Sequence, residues 1–380
     1  GNGAWVKIYE GANLSAATAN LTNGTYNFRV KACNGAGCGS YSDTITTTVL
    51  LAPPVPATIV VPSSTDTDGA YTVSWPAVST ATSYQLSQKV NTGGWVNVSS
   101  GSSRSKAFSG KGNATYQYAV RACNASGCGG FRYSSSFKVF LPPPVPSSAT
   151  VASYDHDGTY DVRWNASSTA THYVVTEKVN SSGYSIIHSN VKGTTYRKSG
   201  AQSNTYRYGV KACNSSGCSG YRYTGNMINT LAPSSITVPS ISHGSGISIR
   251  WSGVANRTKY VLQQRIGSGS WQTLLSSTTA TSYTGPRRTN GTYQYRVAAC
   301  NAGGCTSYKT SGSERVVLPP SSISYPSKDH DGSFSVSWNS VSGATGYQVQ
   351  QLFAGRWTSI YNGSARSASL SGRGNGSYYY

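Results

Sequence analysis

Eight cysteines stand in this 380-residue chain as four pairs, each written C-N-x-x-G-C: Cys33 and Cys38, Cys123 and Cys128, Cys213 and Cys218, Cys300 and Cys305. Thiols so spaced suggest metal binding, redox exchange, nucleophilic catalysis or a structural bridge. A zinc centre takes four ligands, commonly as two close C-x-x-C pairs or as Cys with His. Each repeat here offers two Cys, and the five His of the whole chain hold no consistent position. A redox couple places two residues between its sulfurs at the start of a helix, whereas four separate them here. A catalytic thiol would need a partner His and would not recur in every repeat. The remaining reading is a disulfide across a hairpin: two strands end at the cysteines, four residues turn, and Asn and Gly supply the positive-φ positions. Cysteines opposite one another at a hairpin end fall within bridging distance. Two Cys per repeat with none left over place the bonds within repeats, and persistent disulfides argue for an oxidising location, extracellular or at the cell surface.

The acidic residues are few. Of eleven, six lie in the turns DTDG (66–69), DHDG (155–158) and DHDG (329–332), while the corresponding stretch of another repeat reads SHGSG (242–246). Asp-x-Asp-Gly can open a calcium loop, but the Glu that would complete one is missing, which favours a tight turn. The five other acids, Glu10, Asp43, Asp161, Glu177 and Glu314, occupy no recurring or convergent position for carboxylate catalysis. No phosphate-binding glycine loop or Ser-His-Asp pattern appears. The chain is therefore expected to be non-enzymatic, with no cofactor and no metal.

Basic residues outnumber acidic ones 31 to 11, giving a formal net charge of +20 spread over all repeats. Cations alternate with aromatic residues near each hairpin, in FRVKAC (Arg29, Lys31), YAVRAC (Arg121), YRYGVKAC (Arg207, Lys211) and YQYRVAAC (Arg296). Such a stripe either grips acidic polysaccharide, cell-surface glycan or nucleic acid in a salt-sensitive way, or is a solvated sheet face whose Lys and Arg stems cover rings. The simpler second reading is preferred, and no specific nucleic-acid partner is expected.

These residues must be held by repeating elements. Trp75, Trp164, Trp251 and Trp338 recur at intervals of 89, 87 and 87 residues, so one unit is close to 88. With 42 Gly, 28 Tyr and abundant Ser, Thr and Asn, the composition suits short strands and tight turns rather than helices. No run approaches a membrane-spanning length. In AYTVSW (70–75), Tyr71, Val73 and Trp75 share one face; in SYQLSQKV (83–90), Tyr84, Leu86 and Gln88 do; GGWVNVS (93–99) supplies a third run. TYQYAVRACN (115–124) puts Tyr116, Tyr118, Val120 and Ala122 on one face and Gln117, Arg121 and Cys123 on the other, and FRYSSSFKVF (131–140) reads as a final strand before the Pro-rich joint LPPPVP (141–146). Short strands at this spacing predict an all-β tandem array of two-sheet β-sandwiches, each with a buried Trp at its centre.

The units resemble fibronectin type III domains. The resemblance rests on the Pro-rich start, the Trp closing VSW, VRW, IRW and VSW, the Tyr opening the next strand (Tyr84, Tyr173, Tyr260, Tyr347), and the Y-x-Y-x-V-x-A-C-N run, and it covers essentially the whole chain. It implies immunoglobulin-like topology, with Tyr116, Tyr206 and Tyr293 as tyrosine corners. The cysteines depart from the usual pattern of that family, in a variant that is similar to repeats of large secreted or surface bacterial proteins, including some rearrangement-hotspot (YD-repeat) proteins. The units expected are a partial one at 1–51, whole ones at 52–141, 142–231 and 232–318, and a partial one at 319–380.

Trp5 aligns with Trp95, Trp271 and Trp357, so the first unit enters just before its fourth strand, and the last stops at GNGSYYY (374–380). The expectation is a window on a longer array, with completion of a terminal unit by a neighbouring copy as the alternative. The function expected is a structural segment of an extracellular bacterial filament, stalk or adhesin, whose partners are neighbouring repeats or copies of itself. The alternative is a glycan-binding or spacer region of a larger secreted enzyme or toxin.

Overall fold

The structure, a computed structural model, describes residues 3–244 and 246–380. It is all-β, with no helix among the described residues. The described strands form several sheets in tandem, the smaller ones of two or three strands and the larger ones of six or seven. Packing separates the chain into two compact units, one of 1–144 with 168–171 and 213–219, the other of 145–167, 172–212 and 220–380.

The repeat around Trp251 shows the plan. Ile236–Thr237, Ile247–Trp251 and Ser282–Gly285 make a three-stranded antiparallel sheet. The larger sheet runs Ile241–Ser242, Glu314–Val316, Gly291–Asn301, Lys259–Ile266, Gln272–Thr278, with Gly304–Cys305 and Lys309–Thr310 also paired to the long strand Gly291–Asn301. The leading segment changes sheets: Ile236 pairs antiparallel with Trp251, whereas Ile241 pairs parallel with Arg315. Period-2 alternation decides which side chains fill the space between the sheets. Ile247, Ile249 and Trp251 are buried while Ser248 and Arg250 are exposed, and Tyr293, Tyr295 and Val297 meet them from the long strand. The earlier repeat follows suit with Tyr71, Val73 and Trp75 against Tyr116, Tyr118, Val120 and Ala122.

Three details differ from the sequence reading. The run 131–140 is two short strands, Arg132–Tyr133 and Phe137–Val139, both paired to Ala114–Asn124. Between them Ser134 substitutes its side chain for the ladder: the Tyr118 amide donates to Ser134 Oγ at 2.9 Å. The same break recurs with Thr224 beneath Tyr208 and Ser311 beneath Tyr295, at 3.1 and 3.0 Å. A further strand, Ser105–Phe108, pairs with Tyr71–Ser74 and has no strong apolar run of its own to announce it. Cys123 also belongs to the interior despite facing away from Tyr118, with 6% exposure.

The core holds recurring hydroxyl contacts. Tyr71 and Tyr118, from opposite sheets, are 2.8 Å apart at their hydroxyls, and Tyr160 and Tyr208 are 2.7 Å apart. Burial pushes the Tyr71 phenol up to about 12, with its hydrogen bond to Tyr118 acting against this, and burial also raises Tyr118, Tyr208 and Tyr295. The folded-state value lies above the roughly 10 of a free phenol, so this contribution is complete below about pH 10 and falls as pH climbs toward 12. Denaturant midpoints should therefore decline over that range, and core phenolate absorbance should appear together with unfolding. Phenolate formation by Tyr71 at about pH 10 in the folded protein would contradict the assignment.

Candidate functional site

All four cysteine pairs are bonded, with S–S distances of 2.00–2.08 Å, and no free thiol is present among the described residues. In each hairpin the cysteines face one another and Asn faces Gly, as in Cys300↔Cys305 and Asn301↔Gly304. That leaves a two-residue turn instead of the expected four. Glycine takes positive φ, from +126° to +138° at Gly37, Gly127, Gly217 and Gly304, but none of the four Asn does. The Asn side chain has another task. Its Oδ1 accepts the amide two residues on, from Ala36, Ser126, Ser216 and Gly303 at 2.8–3.0 Å. This leaves the Asn amide nitrogen free to donate outward.

At Asn124, Asn214 and Asn301 the outward donation goes to the joint that precedes the sandwich. Asn124 Nδ2 donates to the Leu51 carbonyl at 2.8 Å and Asn214 Nδ2 to the Leu141 carbonyl at 3.0 Å. Ser126 Oγ donates to the Leu50 carbonyl. Cys213–Ser219 accordingly belong to the same compact unit as residues 1–144 and 168–171. In the next hairpin Asn301 Nδ2 donates to Thr230 Oγ1 at 2.9 Å, and its Oδ1 lies 3.2 Å from His156 Nε2. Gly303 stands where the other hairpins have Ala36, Ser126 and Ser216, and a Cβ there would come within 2.4 Å of Tyr154 Cβ. A second loop adds to this joint: Asn256 Nδ2 donates to the Asn229 carbonyl at 3.3 Å, and Thr230 Oγ1 to the Asn256 carbonyl at 3.3 Å.

The Asp-x-Asp-Gly turns at 66–69 and 155–158 spend both carboxylates on backbone. Gly69 N donates to Asp66 Oδ1 at 2.6 Å and Ala70 N to Asp68 Oδ1 at 2.8 Å, with Gly158 and Thr159 repeating this on Asp155 and Asp157. Gly69 needs its φ of +73°, and a Cβ there would meet the Lys111 carbonyl at 2.4 Å. Ser245, inside SHGSG, lies outside the described residues. Among the described residues no three His, Cys, Asp or Glu side chains gather as a metal group. Glu177 accepts the Tyr208 hydroxyl at 2.7 Å and Glu314 the Tyr295 hydroxyl at 2.8 Å, each in the core of its own repeat.

Trp75, Trp164, Trp251 and Trp338 are 5–7% exposed. Tyr116, Tyr206 and Tyr293 donate to the carbonyls of Gly112, Gln202 and Thr289, four residues upstream, at 3.0–3.2 Å.

The cations of the basic stripe lie over rings, but not those of their own runs, which face the core. Arg29 sits between Trp5 and Tyr41 at 3.9 and 4.0 Å from the ring centroids, with Lys31 at 4.9 Å from Tyr41. Arg121 lies 4.8 Å over Phe131, Lys211 5.1 Å over Tyr221 and Arg207 5.4 Å over Tyr223. Arg296 is held between Trp271 and Tyr308 at 4.4 and 4.2 Å, and Arg265, absent from the sequence reading, covers Trp271 at 4.8 Å. The rings come from the strands and turns beside the long one. Their recurrence as Trp5, Trp95, Trp271 and as Tyr41, Phe131, Tyr221, Tyr308 was the available signal.

No helix of the described residues is long and apolar enough to cross a membrane. No protein-family profile matches the chain, and no curated protein does. Among solved structures it is similar to the FN1–FN3 domains of chicken CNTN1, at 18% identity over 68% of this chain and 97% of that one, with a TM-score of 0.31.

Proposed function

We propose that the chain is a non-catalytic structural segment of an extracellular bacterial filament, stalk or adhesin, in which disulfide-capped hairpins stiffen the joints between β-sandwiches. One observation carries this reading: in successive hairpins the Asn side chain reaches across to the joint before its own sandwich, on Leu51, Leu141 and Thr230. A hairpin needed only for its own sandwich has no use for such contacts. The short bridge holds Asn in register, so the disulfide acts on the joint as well as on the fold. Short Pro-rich joints add little slack.

The oxidising setting is tested on protein isolated from its source. Peptides spanning 121–132 should carry the two-hydrogen mass deficit of a disulfide, and antibodies against the chain should label intact cells or the secreted fraction. Free thiols in that peptide, or labelling only after permeabilisation, would overturn the extracellular reading.

A further inference from the structure

The ring-and-cation stacks lie beside the hairpins but take no part in the core clusters. Arg265, Trp271, Arg296 and Tyr308 alternate charge and ring in one repeat, and Trp5, Arg29, Tyr41 and Lys31 do so in another. Among the described residues, no ion pair includes Arg29, Lys31, Arg121, Arg207, Lys211 or Arg296. Their charge is therefore uncompensated in a chain of net +20. Glutamine orients two of them: Arg296 Nε donates to Gln263 Oε1 at 2.8 Å, and Arg121 Nε and a terminal nitrogen donate to Gln85 Oε1 at 2.9 and 2.7 Å. A guanidinium fixed by a ring and an amide loses little freedom when it binds, and its remaining N–H fork fits a carboxylate or sulfate.

We propose that this outer sheet face binds acidic polysaccharide, through the carboxylate or sulfate groups of successive sugars. The repetition argues for a polymer, because a similar cluster recurs roughly every 88 residues and a chain bearing an acid on each sugar can engage several at once. Single-stranded nucleic acid, which binds through ring faces as well as charge, is the competing ligand that the test must separate. Guanidinium groups cover Trp5, Tyr41, Trp271 and Tyr308. Binding here goes beyond the mechanical reading and does not depend on stiff joints.

The test measures binding of the full chain to polygalacturonate and dextran sulfate, with neutral dextran and single-stranded DNA as comparisons. The combined variant Arg29→Gln, Arg121→Gln, Arg207→Gln, Arg296→Gln should weaken binding to the acidic polysaccharides about tenfold, and added salt should weaken it further. A second variant removes the same charge from exposed cations on or beside the smaller sheets: Arg104→Gln, Lys106→Gln, Lys192→Gln, Arg250→Gln. It should bind within about twofold of the unaltered chain, since it spares the stacked cluster. Equal loss in both variants would reduce the site to diffuse charge and overturn the proposal. So would failure to bind either acidic polysaccharide, equal binding of neutral dextran, or tighter binding of single-stranded DNA lost on the same four substitutions.

Discussion

Trp251→Ala is expected to destabilise its sandwich by about 3–5 kcal/mol, the cost of emptying a large aromatic site in a packed core. Trp251 is 5% exposed and meets Tyr260 edge-on at 5.7 Å between ring centroids. Among the described residues no side chain or carbonyl accepts from its indole N–H, and the expected loss is one of packing. Single domains are stable by only about 5–15 kcal/mol, which brings this one near the threshold of unfolding. Urea denaturation should show a lowered first transition. Trp251→Phe should recover much of the loss, because it refills the site without stranding a hydrogen-bond partner. Trp271→Ala, on the outer face, should cost far less. A change below about 1 kcal/mol for Trp251→Ala would mean that the Trp is not the centre of this core.

Removing the bridge in the same sandwich, by Cys300→Ala with Cys305→Ala, should cost about 2 kcal/mol on the chain-entropy estimate for so short a loop. The larger consequence is expected outside the sandwich. Without the bridge, Asn301 and Gly303 lose their fixed register against Thr230, His156 and Tyr154, and the joint should loosen while both sandwiches remain folded. Gly303→Ser separates the two effects. It keeps the bridge and supplies the residue found in two other hairpins, yet its Cβ collides with Tyr154. Stability within the sandwich should hardly change, whereas the joint should open.

Much of this molecule is legible as alternation. Tyr71, Val73 and Trp75, or Tyr116, Tyr118 and Val120, point inward because a strand's side chains have period two, and the sequence writes that period plainly. The cysteine pairing is legible because each hairpin contains both partners. What escapes the sequence is whatever depends on a distant surface. Asn301 reads as a turn residue, and only the packing shows its amide reaching Thr230, 71 residues back. Gly303 hints at this by replacing Ser or Ala, but a lone glycine in a turn has many explanations. The break at Ser134 escapes because its hydroxyl imitates a backbone partner. The rings beneath Arg29 and Arg296 escape because they belong to neighbouring strands, not to the runs that carry the cations. Glu177 and Glu314 differ in position along the repeat, yet each accepts from the corresponding core Tyr hydroxyl of its own repeat.

The central claim, a joint stiffened by a disulfide-capped hairpin, is tested most directly by spin-label distance measurement. Labels would be attached at Lys192→Cys and Ser268→Cys, both exposed positions, one in each of the two sandwiches that meet at Asn301. The unaltered hairpin should give a single narrow distance distribution that broadens on Cys300→Ala with Cys305→Ala and again on Gly303→Ser. A broad distribution with the hairpin intact, or one indifferent to both changes, would contradict the account.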